Sequence, residues 1–140
     1  MANGMKLTYP VDGKDFTRAG EISSKVKKQL KQLGFPPEVV RRVAIIMYEA
    51  EINMVIHANG GEINVEITPE QIRLVFSDSG PGIPDIQKAM QEGFSTASHE
   101  VRELGFGAGM GLPNMKKNSD EMKIDTEIGV GTTIDLIVKI

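Results

Sequence analysis

Three short segments of the chain carry side chains that could hold and transform a ligand: Glu49-Ala-Glu-Ile-Asn53, Asp78-Ser-Gly-Pro-Gly82 and Gly107-Ala-Gly-Met-Gly111. The first places a carboxylate and an amide four residues apart, which on a helix brings both to the same face. The other two supply an acid and glycine-rich turns, which let a backbone approach a phosphate or a flat base closely. In this order, the three segments predict a nucleotide-binding site.

Two of the side chains suit different parts of a nucleotide. The amide oxygen of Asn53 is a hard, neutral ligand of the kind that Mg²⁺ shares with phosphate oxygens. Asp78 follows a predicted strand, and its carboxylate could accept a hydrogen bond from the exocyclic amine of adenine. Gly80 and Gly82 would let the chain pass close to the ring.

The third segment suits the phosphates. Gly107, Gly109 and Gly111 precede a predicted helix. The N–H groups and the dipole at the start of a helix attract phosphate. This segment is therefore expected to hold the triphosphate, whereas Lys116 and Lys117 further along are interpreted as surface charges.

Hydrophobic spacing predicts the elements that must position these residues. Two helices followed by adjacent strands favour an α/β fold, a two-layer sandwich with a mixed, largely antiparallel sheet covered by helices. Residues 92–109 form a glycine-, serine- and charge-rich stretch too long for an ordinary connection, and they are a candidate lid. Strands are predicted over residues 5–11, 62–68, 71–77, 122–127 and 132–140, and helices over 16–33, 37–57, 84–91 and 110–118. The two-residue link between the second and third strands predicts an antiparallel hairpin, and Gly34 is expected to end the first helix.

Two common nucleotide-binding architectures are excluded by the sequence. The first strand ends in Asp12-Gly13 with no glycine-rich turn behind it, unlike a doubly wound dinucleotide fold. The chain also contains no Gly-Lys-Ser/Thr phosphate loop. A nucleotide site in this chain must therefore use another architecture.

Composition limits the class of protein. The 140 residues, 40% of them hydrophobic, match one domain spanning residues 1–140. The net charge of -3 argues against nucleic-acid binding, and Lys25, Lys27, Lys28 and Lys31 are interpreted as a solvated helix face. Without cysteine there can be no disulfide or thiolate site, and no apolar run is long enough for a membrane span. A cytoplasmic location is expected.

The ordered segments resemble the N, G1 and G2 boxes of the GHKL superfamily, the histidine-kinase-like ATPases that include gyrase and heat-shock chaperone ATP domains. The compact chain is similar to anti-sigma factors and switch-protein serine kinases. Residues 78–96 and 107–117 look closest to the switch-kinase branch of the stressosome. The resemblance extends from about residue 5 to the end, and it implies a Bergerat-type ATP-binding fold.

The resemblance also implies roles for single residues. The residue that matches Asn53 holds Mg²⁺, the one that matches Glu49 is the general base, and the one that matches Asp78 binds adenine. Arg102, in the presumed lid, could reach the γ-phosphate on closure, and Glu51 is expected to be solvated or to engage the lid. The expected ATP-binding set is Asn53, Asp78, Gly80, Gly82, Gly107, Gly109, Met110, Gly111, Leu112 and Thr132.

The leading hypothesis is a Mg·ATP-dependent protein serine/threonine kinase that phosphorylates a switch protein of the STAS, or anti-anti-sigma, class. The alternative is an ATP-gated anti-sigma factor that sequesters a sigma factor with little phosphoryl transfer. A detached histidine-kinase ATP domain is a third reading, and His99 is not interpreted as a phosphoacceptor because it follows the N box. A downstream phosphatase as a further partner and a homodimer both stay open.

Overall fold

The computed structural model describes residues 4–12, 20–57, 60–80, 90 and 111–140. The predicted lid, and all but Met90 of the helix predicted over 84–91, lie outside these residues. The described elements follow the predicted order. They are β1 (Met5–Asp12), α1 (Glu21–Gln32), α2 (Pro37–His57), β2 (Gly60–Ile67), β3 (Gln71–Asp78), α3 (Gly111–Asn118), β4 (Glu121–Glu127) and β5 (Gly131–Lys139).

The five described strands form one sheet in the order β1-β2-β3-β5-β4, and each of the four pairings is antiparallel. The hairpin predicted between β2 and β3 is present, with Ile67 opposite Ile72 and the Thr68 N–H donating to the Gln71 carbonyl at 3.0 Å. The predicted α/β fold is confirmed. The sheet, which was predicted to be mixed and largely antiparallel, is antiparallel in every described pairing.

Helix α1 has the period that the sequence predicts. Val26 and Leu30 are buried one turn apart, and the lysines between them are exposed. Leu33, which the hydrophobic spacing places on the buried face, is instead the C-cap and is 47% exposed. Gly34 follows with a φ of +83°, a conformation that glycine adopts without strain, and it ends the helix as predicted.

The core lies between the inner face of the sheet and the three helices. Ile63, Leu74 and Leu136 come from neighbouring strands and are fully buried, because alternate residues of each strand point toward the helices. Val43 and Met47 of α2 and Met115 of α3 cover them. Of the described helices, none is both long and apolar enough to cross a membrane.

The other face of the sheet is polar. Arg73 on β3 forms a two-point ion pair with Asp135 on β5, with Nε to Oδ1 at 3.0 Å and Nη2 to Oδ2 at 2.5 Å. Glu66 on β2 lies 3.8 Å from the same guanidinium. One face of the sheet therefore packs on helices and the other carries charge, which is the two-layer arrangement predicted.

Candidate nucleotide-binding site

Glu49 and Asn53 lie one turn apart on α2, and both are half-buried. Burial raises the pKa of the Glu49 carboxyl above its ordinary value, and a hydrogen bond from the Asn114 side chain opposes part of that rise. A carboxylate that is partly withdrawn from water is a stronger proton acceptor than a fully solvated one, and a hydrogen bond from an amide orients it. Its placement suits the predicted general base.

Asn53 faces the first residue of α3. A Cβ atom built on Gly111 would lie 2.8 Å from Nδ2 of Asn53, closer than a real side chain tolerates. The absence of a side chain at Gly111 thus leaves room for the Asn53 amide. The N box and the end of the third segment meet at this contact, although they are 58 residues apart in the sequence.

Asp78 ends β3 and is fixed by two backbone donors. Its Oδ1 accepts hydrogen bonds from the N–H of Gly80 at 2.9 Å and from the N–H of Thr132 at 3.2 Å. Within the described part of the chain, no hydrogen bond is made to Oδ2. The carboxylate is therefore held in one orientation through one oxygen, while the other remains available to a ligand.

Thr132 lies directly opposite Asp78 in the β3–β5 pairing and is only 6% exposed. Its hydroxyl is 2.9 Å from that of Thr126 on β4. The preceding Gly131 has a φ of +150°, and a Cβ atom there would lie 2.1 Å from the Asp78 carbonyl oxygen. Glycine at this position is what allows β5 to start against the end of β3.

Gly61 lies between α2 and Asp78. A Cβ atom on Gly61 would lie 2.6 Å from Cε of Met54 and 3.0 Å from Cα of Asp78. The residue after Asn53 and the end of β3 are therefore separated by only one glycine. The structure thus brings the C-terminal half of α2, the end of β3 and the start of β5 to one side of the domain.

Some members of the expected set can be placed and others cannot. Gly80 and Leu112 are buried, and Leu112 belongs to the hydrophobic core. Leu112 therefore packs the start of α3 against the domain. Five expected site residues lie outside the described residues: Gly82, Arg102, Gly107, Gly109 and Met110. Their roles stay predictions.

The expectation that Glu51 is solvated was wrong. This residue is 3% exposed, and its carboxylate accepts the N–H groups of Ile22 at 3.2 Å and Ser23 at 3.1 Å. The lid, its other expected partner, lies outside the described residues. The N-cap of α1, Gly20, has no side chain to cap the helix. Glu51 supplies that cap from α2, where its charge also complements the helix dipole.

Asn114 is a site residue that the sequence reasoning missed. It lies one turn into α3 and donates to Glu49. A signal was available, because an amide three residues after Gly111 projects from the first turn of the helix that opens at the glycine loop. Nothing in the sequence, however, indicated that this turn packs beside Glu49.

The described residues fit a metal that is shared with a nucleotide. They contain no group of three or more His, Cys, Asp or Glu side chains that could hold a metal ion without other ligands. Mg²⁺ usually takes one or two protein ligands and completes its shell with water and phosphate oxygens. The half-buried Asn53 amide beside the start of α3 suits that arrangement.

Known proteins are similar to this chain in sequence or in fold. The chain is 34% identical over 111 residues to the serine/threonine-protein kinase RsbT of Bacillus subtilis, covering 76% of this chain and 77% of that protein. It is 32% identical over 102 residues to the anti-sigma F factor of Caldanaerobacter subterraneus, covering 69% and 68% of the two chains.

A crystal structure of the RsbU and RsbW domains of a Mycobacterium tuberculosis protein superimposes with a TM-score of 0.65 at 16% identity. The match covers 96% of this chain and 32% of that longer one. At this level of identity the likeness concerns the fold alone. Residues 38–140 match the family model described as histidine kinase-, DNA gyrase B- and HSP90-like ATPase. The chain belongs to this ATPase family.

Proposed function

We propose that the protein is an ATP-dependent protein serine/threonine kinase of a partner-switching system. The observation that carries the proposal is Glu49: a half-buried carboxylate with a raised pKa, held by Asn114 and one helical turn from Asn53. Nucleotide binding alone requires no such group. Proton abstraction from an acceptor hydroxyl does. The similarity to RsbT, which is named a serine/threonine-protein kinase, supports the same activity.

In this proposal ATP is the phosphoryl donor, and the side chains bind and orient it. Asp78 accepts a hydrogen bond from the adenine amine through Oδ2, since Oδ1 is held by backbone donors. Thr132 and Gly80 line the same end of the sheet. The N–H groups at the start of α3, from Gly111 onward, face the phosphates.

Asn53 would hold Mg²⁺ through its amide oxygen, and the ion neutralises phosphate charge when bound. Glu49 accepts the proton of a serine or threonine hydroxyl on the substrate protein. The hydroxyl oxygen forms a bond to the γ-phosphorus as the bond between that phosphorus and the bridging oxygen of ADP breaks. The products are a phosphorylated protein and ADP, and Glu49 later returns its proton to water.

The substrate class that we propose is a STAS-type, anti-anti-sigma switch protein, and the proposed location is the cytoplasm. A second candidate function is an ATP-gated anti-sigma factor that sequesters a sigma factor. It is favoured by the 32% identity to a protein named anti-sigma F factor. The two functions differ in one respect, because only the kinase transfers phosphate at a useful rate.

The test incubates the purified chain with labelled ATP, Mg²⁺ and each STAS-domain protein of its source genome. We expect acid-stable phosphate on serine or threonine of one of them, and we expect Glu49→Gln to lower the rate by about 100-fold or more while ATP still binds. Glu66→Gln, which changes a partly exposed acid on the far face of the sheet, is the control. Phosphoryl transfer at an unchanged rate in Glu49→Gln would contradict the assignment of Glu49 as the general base. ATP-dependent capture of a sigma factor without transfer favours the second candidate.

A further inference from the structure

An open groove of about 880 Å³ runs over the outer face of α2, with α1 on one side and α3 on the other. Its floor is apolar, with Val40, Ala44 and Ile45 of α2, and Phe35 closes one end. Tyr48 of α2, whose exposed fraction is 43%, also lines the groove. The groove is separate from the Asp78 side of the site, but it includes Glu49 and Asn114.

The groove has a direction. Helices α1 and α2 are antiparallel, because the short link over residues 33–36 joins one pair of ends and Glu51 caps the start of α1 at the other. Ser23 and Ser24 therefore lie at the Glu49 end of the groove. Lys31 lies at the opposite end with Arg41, and Lys27 lies between.

Charge is distributed unevenly along this direction. Lys27, Lys31 and Arg41 line the groove, and no described acid forms an ion pair with any of them. Arg42, the next residue, is by contrast paired with Asp120 at 3.0 Å. Among the described lining residues Glu49 is the only acid. On a chain with a net charge of -3, this is a local basic surface that leads to a single carboxylate.

We propose that this groove is the docking site for an acidic segment of the substrate protein, with the acceptor hydroxyl at the Glu49 end and the acidic residues at the Lys31 and Arg41 end. The inference rests on the proposed kinase function and extends it to substrate selection. Glu49 lies eight positions after Arg41 on α2, which is a rise of about 12 Å along the helix. An extended segment covers this length in about four residues. The acidic residues should therefore lie about four positions from the acceptor serine or threonine.

The direct test measures binding of a fluorescein-labelled peptide with a central serine and a run of aspartates about four residues away. A peptide with lysines in place of the aspartates and a single-stranded oligonucleotide of equal charge are the comparison ligands. We expect the aspartate peptide to bind the full chain in a salt-dependent way, and the lysine peptide not to bind. Failure of the aspartate peptide to bind, or tighter binding of the oligonucleotide, overturns the proposal.

Charge reversal then locates the surface. Lys27→Glu combined with Lys31→Glu should raise the Kd of the aspartate peptide by about tenfold or more. Lys25→Glu combined with Lys28→Glu is the matched control, because it makes the same charge change at two exposed positions of α1 that do not line the groove. Equal losses in the control and the groove variant would mean that net charge, and not the groove, governs binding. Binding of ATP should be the same in all of these variants.

A transfer assay separates this inference from the kinase proposal. If the wild-type chain phosphorylates a switch protein, the groove variant should raise the KM for that protein and leave kcat close to wild type. Unchanged KM in the groove variant contradicts docking but leaves the kinase intact. Groove-dependent peptide binding, with no transfer to any switch protein, contradicts the kinase and retains the docking surface.

Discussion

Asn53 and Gly111 approach each other so closely that the methyl group of an alanine at position 111 would lie 2.8 Å from Nδ2 of Asn53. The planar amide of Asn53 would have to move, because its Oδ1 and Cγ also lie within 3.4 Å of that methyl position. The backbone around it would not, since no backbone atom is among the nearest neighbours of that methyl position. The contact thus joins the proposed metal ligand to the first turn of α3, the helix that we propose to face the phosphates.

Gly111→Ala should weaken Mg·ATP binding by roughly tenfold or more, because the Asn53 amide is displaced from its orientation. The folded state should lose little stability. Calorimetric titration with a non-hydrolysable ATP analogue, with and without Mg²⁺, measures the effect. Gly34→Ala is the control: it has open space around it but a φ of +83°, so it should lower the Tm and leave affinity unchanged. Wild-type affinity in Gly111→Ala would contradict the assignment of Asn53.

The pH dependence of transfer should report the Glu49–Asn114 hydrogen bond. Glu49 acts as a base only when deprotonated, so the rate falls as the pH drops through its pKa, which burial raises above that of an ordinary glutamate. Asn114→Ala removes the hydrogen bond that opposes this rise. We therefore expect the acid limb of the kcat profile to move to higher pH in this variant.

Ser119→Ala, just beyond the end of α3, is the control for Asn114→Ala, and its profile should coincide with that of the wild type. The KM for ATP should be nearly the same in all three proteins, because Asn114 is not expected to contact the nucleotide. An acid limb that stays in place when Asn114 is removed would show that this side chain does not tune the base.

Glu51→Ala should destabilise the domain. The variant loses two charge-assisted hydrogen bonds that cap α1, in a place that is 3% exposed, and we expect a cost of about 2 kcal/mol. For a domain of this size the Tm should fall by roughly 5–10 °C. Glu121→Ala, which loses an exposed 3.8 Å ion pair with Lys139, should change the Tm little. Equal Tm values for the two variants would refute the capping role.

Asp120 should contribute to stability in a pH-dependent way. The Lys139 N–H, at 2.7 Å, and then Arg42 hold the pKa of this carboxyl below its ordinary value. A lowered pKa in the folded state means that the contribution is present above the unfolded pKa and is lost as the pH falls through the folded one. Asp120 is partly exposed, so Asp120→Asn should lower the Tm at neutral pH by only about 1–3 °C. The difference from wild type should vanish in strong acid, and a difference that persists there would assign the effect to packing.

Much of the fold was predictable because its patterns are local. The alternation of Ile72, Leu74 and Phe76 predicted β3 and its buried face, and the two-residue link before it predicted the hairpin. The four-residue spacing of Glu49 and Asn53 predicted that both face one way, since the helix period depends only on neighbouring residues. The three candidate ligand-binding segments were likewise recognisable from the sequence alone.

Contacts between distant segments were not predictable. Glu51 is of the same type as Glu49 and only two residues away, yet it caps α1, because α1 packs against the face of α2 from which Glu51 projects. Asn114 reaches Glu49 only because α3 packs beside α2. The sequence indicated that the lysines of α1 form one solvated face, whereas in the structure Lys27 and Lys31 line the groove and Lys28 does not.

The sequence by itself determined which side chains could bind adenine, metal and phosphate, because those choices depend on residue type and on spacing within one helix or one turn. Only the tertiary structure decided which of these side chains lie beside one another. Asp78 meets Thr132 through the β3–β5 register, 54 residues apart, and Glu49 gains its raised pKa from burial in the folded domain. Strand pairing and helix packing between distant segments are cooperative properties of the whole core, so no local pattern encodes them.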